Sequence, residues 1–182
     1  MEATGIGNGN GLEHAAETKG PLLLSTRLVV LDREHPSSWS LLPQVVARVK
    51  KFCNSREHHA DSNAEIVARW IERDFTSEKP TVLLMVMEEA GVVVGHLLAC
   101  MMKNEFNDCQ YMHIWQYEVD KEGVSMDYLR GGFDIAIEWG EVHGATEVRL
   151  ECSSEKLARV YMTFYGFKPW NLIMRKEIGN GQ

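Results

Sequence analysis

No stretch of this sequence approaches the roughly 18 consecutive apolar residues that a membrane-spanning helix requires. No basic segment followed by an apolar run stands at its start, so no secretory signal is expected, and the expected location is cytoplasmic. Cysteine is sparse: Cys53, Cys100, Cys109 and Cys152 are scattered and form no C-x-x-C pair. Such spacing reads as reduced thiols, mostly in the core, rather than as a metal cluster. Positive charge is short as well. Nineteen basic against 26 acidic side chains leave a net charge of −7. A surface of that sign is poorly suited to nucleic acid, whose binding rests on neutralising phosphates. A polyanionic cofactor would need cations or backbone N–H groups gathered locally.

The 182 residues, 45% of them hydrophobic, suit one domain with a short extension. Residues 1–20 carry Gly5, Gly7, Gly9 and Gly11 among Asn and Thr. Nothing there can bury surface, so a flexible tail is expected, or an arm that orders against a partner. The glycines are not a nucleotide loop, because no strand precedes them and no Lys-Ser/Thr follows. Residues 21–178 read as a single domain and 179–182 as a frayed end.

Residues 22–31 are apolar and partly β-branched, a first strand. Trp39, Leu42, Val45, Val46, Val49 and Phe52 recur at helical spacing, with Pro43 tolerable only near the first turn. His58-His59, with Asp61 nearby, invites a metal reading, but adjacent side chains cannot face one centre and no metal is expected. Ser62-x-x-Glu65 is a capping box ahead of a second helix running to about Asp74. Residues 81–87 and 92–102 form a hairpin around the turn Glu88-Glu89-Ala90-Gly91. A strand over 111–119 follows. Alternation places Tyr111, His113, Trp115, Tyr117 and Val119 on one face and Met112, Ile114, Gln116 and Glu118 on the other. His96 reads as a core or edge histidine. A helical run then ends at His143-Gly144, a strand spans 147–152, and a last helix closes on Tyr165-Gly166-Phe167. The final strand is expected over 167–178, broken by Pro169.

The order β-α-α-β-β-β-α-β-α-β describes an α/β mixed central sheet flanked by helices, not an alternating Rossmann series. Within it, Val142-His143-Gly144-Ala145-Thr146-Glu147-Val148-Arg149-Leu150-Glu151-Cys152 resembles the helix end and following strand of the GNAT acetyltransferases. Ala158-Arg159-Val160-Tyr161, followed by Gly166-Phe167-Lys168-Pro169, is similar to that family's closing helix and Gly-Phe turn. The resemblance covers residues 22–178.

The resemblance implies the GNAT fold and an acetyl-CoA-dependent N-acetyltransferase acting on a small or protein amine. Its cofactor positions here are Tyr117 and Val119 at the strand end, Ser125 and Tyr128 in the loop, and Arg130 and Gly131 beyond it. The family's pyrophosphate loop, Q/R-x-x-G-x-G/A at a helix N-terminus, works through free N–H groups and close backbone approach. In register it falls on Val124-Ser125-Met126-Asp127-Tyr128-Leu129. Val124 stands at the leading Arg/Gln position, Asp127 and Leu129 at the two small ones. In a second register, Arg130-Gly131-Gly132 is a displaced phosphate loop and the helix begins at Phe133. The alternative for those glycines is close helix packing. The family's acid is often a Tyr at the position held here by Met162; Tyr161, about 100° round the helix, is the candidate. Glu118, or His113, is the candidate base.

Two functions stay open on these residues. One is the N-acetyltransferase. The other is a non-catalytic GNAT-fold assembly protein, for which Asp127 and Leu129 are no obstacle and the 1–20 arm binds protein partners. The resemblance extends to phage-encoded relatives of that second kind, virion components among them. A small-molecule or amino-acid sensor that kept the cleft is a third option. Neither nucleic acid nor membrane is an expected partner, and an oligomer is compatible with the sequence.

Overall fold

The computed structural model describes residues 26–55, 63–104, 108–120, 126–152 and 155–169, with the backbone alone for 126–129. The elements are β1 (Arg27–Val30), α1 (Pro36–Ser55), α2 (Ala64–Phe75), β2 (Val82–Glu89), β3 (Val92–Lys103), β4 (Gln110–Val119), α3 (Met126–Val142), β5 (Glu147–Leu150) and α4 (Glu155–Tyr165). One mixed sheet runs β1-β2-β3-β4-β5, antiparallel except for the parallel β4–β5 pair. The expected mixed sheet flanked by helices is the observed architecture. In the expected last strand, residues 167–169 are in no strand and 170–178 lie outside the described residues, as do the 1–20 tail, His58-His59 and 179–182.

Strands β2 and β3 are buried on both faces, as their near-continuous apolar runs require. One face carries Leu84, Val86 and Leu98 against Val45 and Val49 of α1 and Ile71 of α2. The other carries Met85, Leu97 and Met112 against Phe133 and Ala136 of α3.

Local chemistry moves four boundaries from their expected places. α1 begins at Pro36, before the apolar periodicity starts, because proline's fixed φ suits a first helical residue. Pro43 therefore lies in the second turn rather than the first. The cap of α2 is Asn63, not Ser62, which lies outside the described residues. The Asn63 side chain accepts the Glu65 and Ile66 N–H groups at 3.0 and 3.2 Å, and Asn caps as well as Ser. β2 continues to Glu89, and the hairpin turns on Ala90 and Gly91 alone, both at positive φ (51° and 83°), as a two-residue turn matched to strand twist demands. The Glu88 carboxylate, though buried, is satisfied by Arg27 and the Gly91 N–H. Finally, β5 stops at Leu150, short of Cys152.

The largest departure is a bulge in β4. Leu98 pairs with Gln116 and Ala99 with Ile114, leaving Trp115 as an extra residue. An extra residue breaks strict alternation. Tyr117 accordingly packs with Met112 and Ile114 in the core against α3, while Trp115 packs against the α1/α2 core and Gln116 reaches Cys53 of α1. The expected faces are thus corrected beyond the bulge: Tyr117 leaves the side of Trp115, and Gln116 leaves that of Ile114.

Candidate active site

Up to the bulge, β4 lies parallel to β5, with Tyr111 opposite Glu147 through Ile114 opposite Leu150. Past it, the pairing ends while β4 continues to Val119, bonded to β3. One backbone edge of 115–119 therefore has no strand partner among the described residues. A notch of about 60 Å³ opens between the diverging strands. Tyr117, Phe133 and Tyr161 line it from the α3/α4 face, and Phe52, Trp115 and Glu151 from the α1/α2 face, so it passes through the sheet. A larger cavity of about 400 Å³ lies at the other end of β5, beside Thr146, Glu147 and Lys168.

The α3/α4 side is held by aromatic packing. The Phe133 ring lies 5.0 Å from Tyr117, 5.5 Å from Tyr161, 4.4 Å from Tyr165 and 5.8 Å from Phe167, centroid to centroid. The contacts with Tyr117, Tyr161 and Phe167 are edge-to-face and that with Tyr165 is tilted by 45°, and such packing fixes ring orientation beyond what burial alone does. α3 approaches closely because residue 132 has no side chain. A Cβ there would stand 2.5 Å from the Tyr117 hydroxyl and 2.9 Å from Met85 Cε; one at Gly131 would stand 3.1 Å from Leu28. Burial raises the Tyr117 phenol well above its ordinary range, and Tyr165 and Tyr161 nearby add to the rise. Burial raises Tyr165 too. These hydroxyls are proton donors at neutral pH.

Tyr161 is half-buried and lines the notch, whereas its neighbour Met162 is exposed. Val119 pairs with Gly95, where a Cβ would meet the Glu118 carbonyl at 3.1 Å. Arg130 and Gly131 lie in the second turn of α3, which begins at Met126. The displaced-loop register, with a helix starting at Phe133, is therefore not adopted: the glycines serve helix–sheet contact. Tyr128 and Asp127 lie in the first turn, while Val124 and Ser125 lie outside the described residues.

On the opposite face, Glu118 is half-buried across from His96 and is not part of the notch lining. His96 Nε2 and Gln116 Oε1 share a 3.0 Å hydrogen bond, and the Gln116 amide donates to Cys53 Sγ at 3.8 Å. This fully buried polar pair ties β3 and β4 to α1 beside the bulge. Burial lowers the His113 imidazole below its ordinary value; Glu151 opposes that and Arg149 adds to it. Arg149 itself hydrogen-bonds Glu147 and sits 3.8 Å from the Tyr111 ring centroid. Sequence reasoning missed Phe133 and Gln116 as organisers and Glu151 as a lining residue. Continuing the alternation of β5 one step past Leu150 is the signal that finds Glu151.

No family model matches the sequence, and no curated protein matches it. Solved structures do match its fold. A predicted acetyltransferase from Clostridium acetobutylicum, determined with acetyl-CoA, has a TM-score of 0.61 at 13% identity over 84% of this chain and 96% of that one. Glucosamine-6-phosphate N-acetyltransferase from Arabidopsis thaliana has 0.59 at 15% identity, over 85% and 99%. A GNAT family acetyltransferase from Staphylococcus aureus has 0.56 at 12% identity, again over 85% and 99%. The architecture is the GNAT acetyltransferase fold. At these identities the likeness is one of fold, and it spans nearly the whole length of each neighbour.

Proposed function

We propose that the chain is an acetyl-CoA-dependent N-acetyltransferase working at the β4–β5 notch. The observation that carries this reading is the bulge at Trp115, which parts β4 from β5 and leaves Tyr161 inside the gap. The open backbone edge of 115–119 offers N–H and C=O groups to the amide-bearing arm of the cofactor. The N-terminus of α3, with its free N–H groups, is the place for the pyrophosphate. Tyr117, Val119, Ser125, Tyr128 and Arg130 are the cofactor-side residues of this proposal, and Gly131, packed toward Leu28 of β1, is not among them. Bound acetyl-CoA supplies an activated acyl group as a thioester. Tyr161 donates a proton toward the departing sulfur, and Glu118, on the α1/α2 face, accepts one from the incoming ammonium. Calorimetry with the full chain tests the reading directly. Binding of acetyl-CoA with thiol release in the presence of an amine supports it, and no heat at millimolar cofactor overturns it.

A second reading, a non-catalytic GNAT-fold module held in an assembly by protein partners, rests on Asp127. Asp127 stands in the first turn of α3, where a diphosphate would dock. Deleting residues 1–20 would then abolish partner capture; unchanged association sinks the arm.

A further inference from the structure

The mouth of the notch on the α1/α2 face has a charge and a texture that restrict what enters it. Its wall is Phe52 and the half-buried Trp115, the latter supported edge-on by Trp70 at 6.3 Å. Its charged group is Glu151, which is exposed and makes no hydrogen bond or ion pair among the described residues. No cation lines the notch among the described residues. Of the nearby cations on this face, Arg149 is already engaged, bonding Glu147 and lying over Tyr111, and Lys51, beside Phe52 in α1, acts on Asp120 at the end of β4. A phosphate or carboxylate on an acceptor would find no cation in the described lining of the notch and would face Glu151 instead. An ammonium group would find a carboxylate. The gap of about 60 Å³ equals roughly two waters' share of liquid volume, so it takes an aminomethyl end and leaves the rest of the molecule on the aromatic wall.

We propose that Glu151 is the specificity-determining carboxylate of the acceptor site, and that the acceptor is a cationic primary amine on an apolar body rather than an anionic amine such as a sugar phosphate. The inference rests on the proposed transferase site, but it concerns amine recognition, which is measured separately from cofactor binding. Glu151 acts by attracting the ammonium end. The aromatic wall holds the body, whose contact area supplies most of the affinity, since a carboxylate this exposed contributes modestly.

The test uses the full chain, with 2-phenylethylamine and glucosamine 6-phosphate as probes. Saturation-transfer NMR and calorimetry are run with and without acetyl-CoA. The amine should bind at least about tenfold more tightly than the sugar phosphate, and Glu151→Gln should weaken it about three- to tenfold. Glu151→Lys should reverse the order of the two probes, a readout that a merely misfolded variant cannot give. Equal binding of the two probes, or amine binding indifferent to both variants, overturns the proposal. Amine binding that depends on Glu151 without any acetyl-CoA binding keeps this inference and removes the transferase. Acetyl-CoA binding without amine selectivity does the reverse.

Discussion

At the scale of single residues, Gly132 and Phe133 do adjacent and opposite work: one keeps space clear, the other fills it. Gly132→Ala sets a methyl 2.5 Å from the Tyr117 hydroxyl and should cost about 1–3 kcal/mol, read as a lower denaturation midpoint. A lost side chain at the hub is worse. Phe133 is 1% exposed, and Phe133→Ala should cost about 3–5 kcal/mol and free Tyr117 and Tyr161, seen in the near-ultraviolet dichroism. His96 gives the molecule a pH dependence. Burial holds its imidazole below the ordinary 6.5, Gln116 pulls it up, and Arg48 pushes it down. A lowered folded value means the folded state binds fewer protons than the unfolded one, so stability is fullest above about pH 6.5 and falls as pH drops below it. His113 contributes with the same sign. Glu88, depressed by its bond to Arg27 and then by the Gly91 N–H, also favours the folded state at higher pH, but its contribution is lost only as pH falls below the ordinary 4.5. Thermal melts from pH 8 to 4 should therefore decline from near 6.5. In His96→Asn the decline between 6.5 and 5 should flatten while the drop below 4.5 stays. An unchanged profile would show that His96 is not the titrating group.

At the scale of elements, every described strand and helix was legible in the sequence, while the ends and the bulge were not. Periodicity marks where side chains must be buried, so it found α1 from Trp39 onward and overlooked its polar first turn from Pro36. Capping is a choice between neighbours of equal quality, and Asn63 fills it with an extended backbone and two accepted N–H groups. Asn63→Ala should cost about 1 kcal/mol by urea titration, with the fold retained. The bulge is harder to read, since Gln-Tyr-Met-His-Ile-Trp-Gln-Tyr-Glu-Val is a plain strand by composition and nothing local marks Trp115 as surplus. Only the pairing of Leu98 with Gln116 and Ala99 with Ile114 reveals it. Its removal makes a direct experiment. Deleting Trp115 takes out the residue that breaks the ladder, so Gln116 and Tyr117 keep their faces while β4 straightens alongside β5. The variant should fold, with reduced stability, and lose the notch together with acetyl-CoA binding. A deletion variant that folds and still binds acetyl-CoA would separate the bulge from the site.

At the scale of the whole molecule, the fold follows from the order of elements, and the site follows from only part of it. Tyr117 and Tyr161 were visible as candidates because they sit on a strand end and a closing helix. Phe133 was not, because its importance comes from chain segments meeting in three dimensions; the alternation of β5 places Glu151 on its face, but no local pattern encodes the gap it lines. The net charge of −7 is legible at once, and it sets how a polyanion approaches. A phosphate site built from clustered cations loses affinity steeply with salt, because ion pairs are screened and counterions are released. Here α3 starts with Asp127 in its first turn, and Arg130 is the cation one turn further on. The long-range field is therefore repulsive and the near field is mostly backbone dipole. Screening weakens the first within about 10 Å at 0.1 M salt and leaves short N–H contacts largely intact. Acetyl-CoA should consequently bind equally well or about two- to threefold more tightly at 200 mM than at 20 mM sodium chloride. Asp127→Asn should tighten binding at low salt by about three- to fivefold and remove most of that salt dependence, since a charge at a helix N-terminus acts on the order of 1 kcal/mol. A steep loss of affinity with salt in the unmodified chain would instead mean that a cationic cradle holds the diphosphate, and that Asp127 lies away from it.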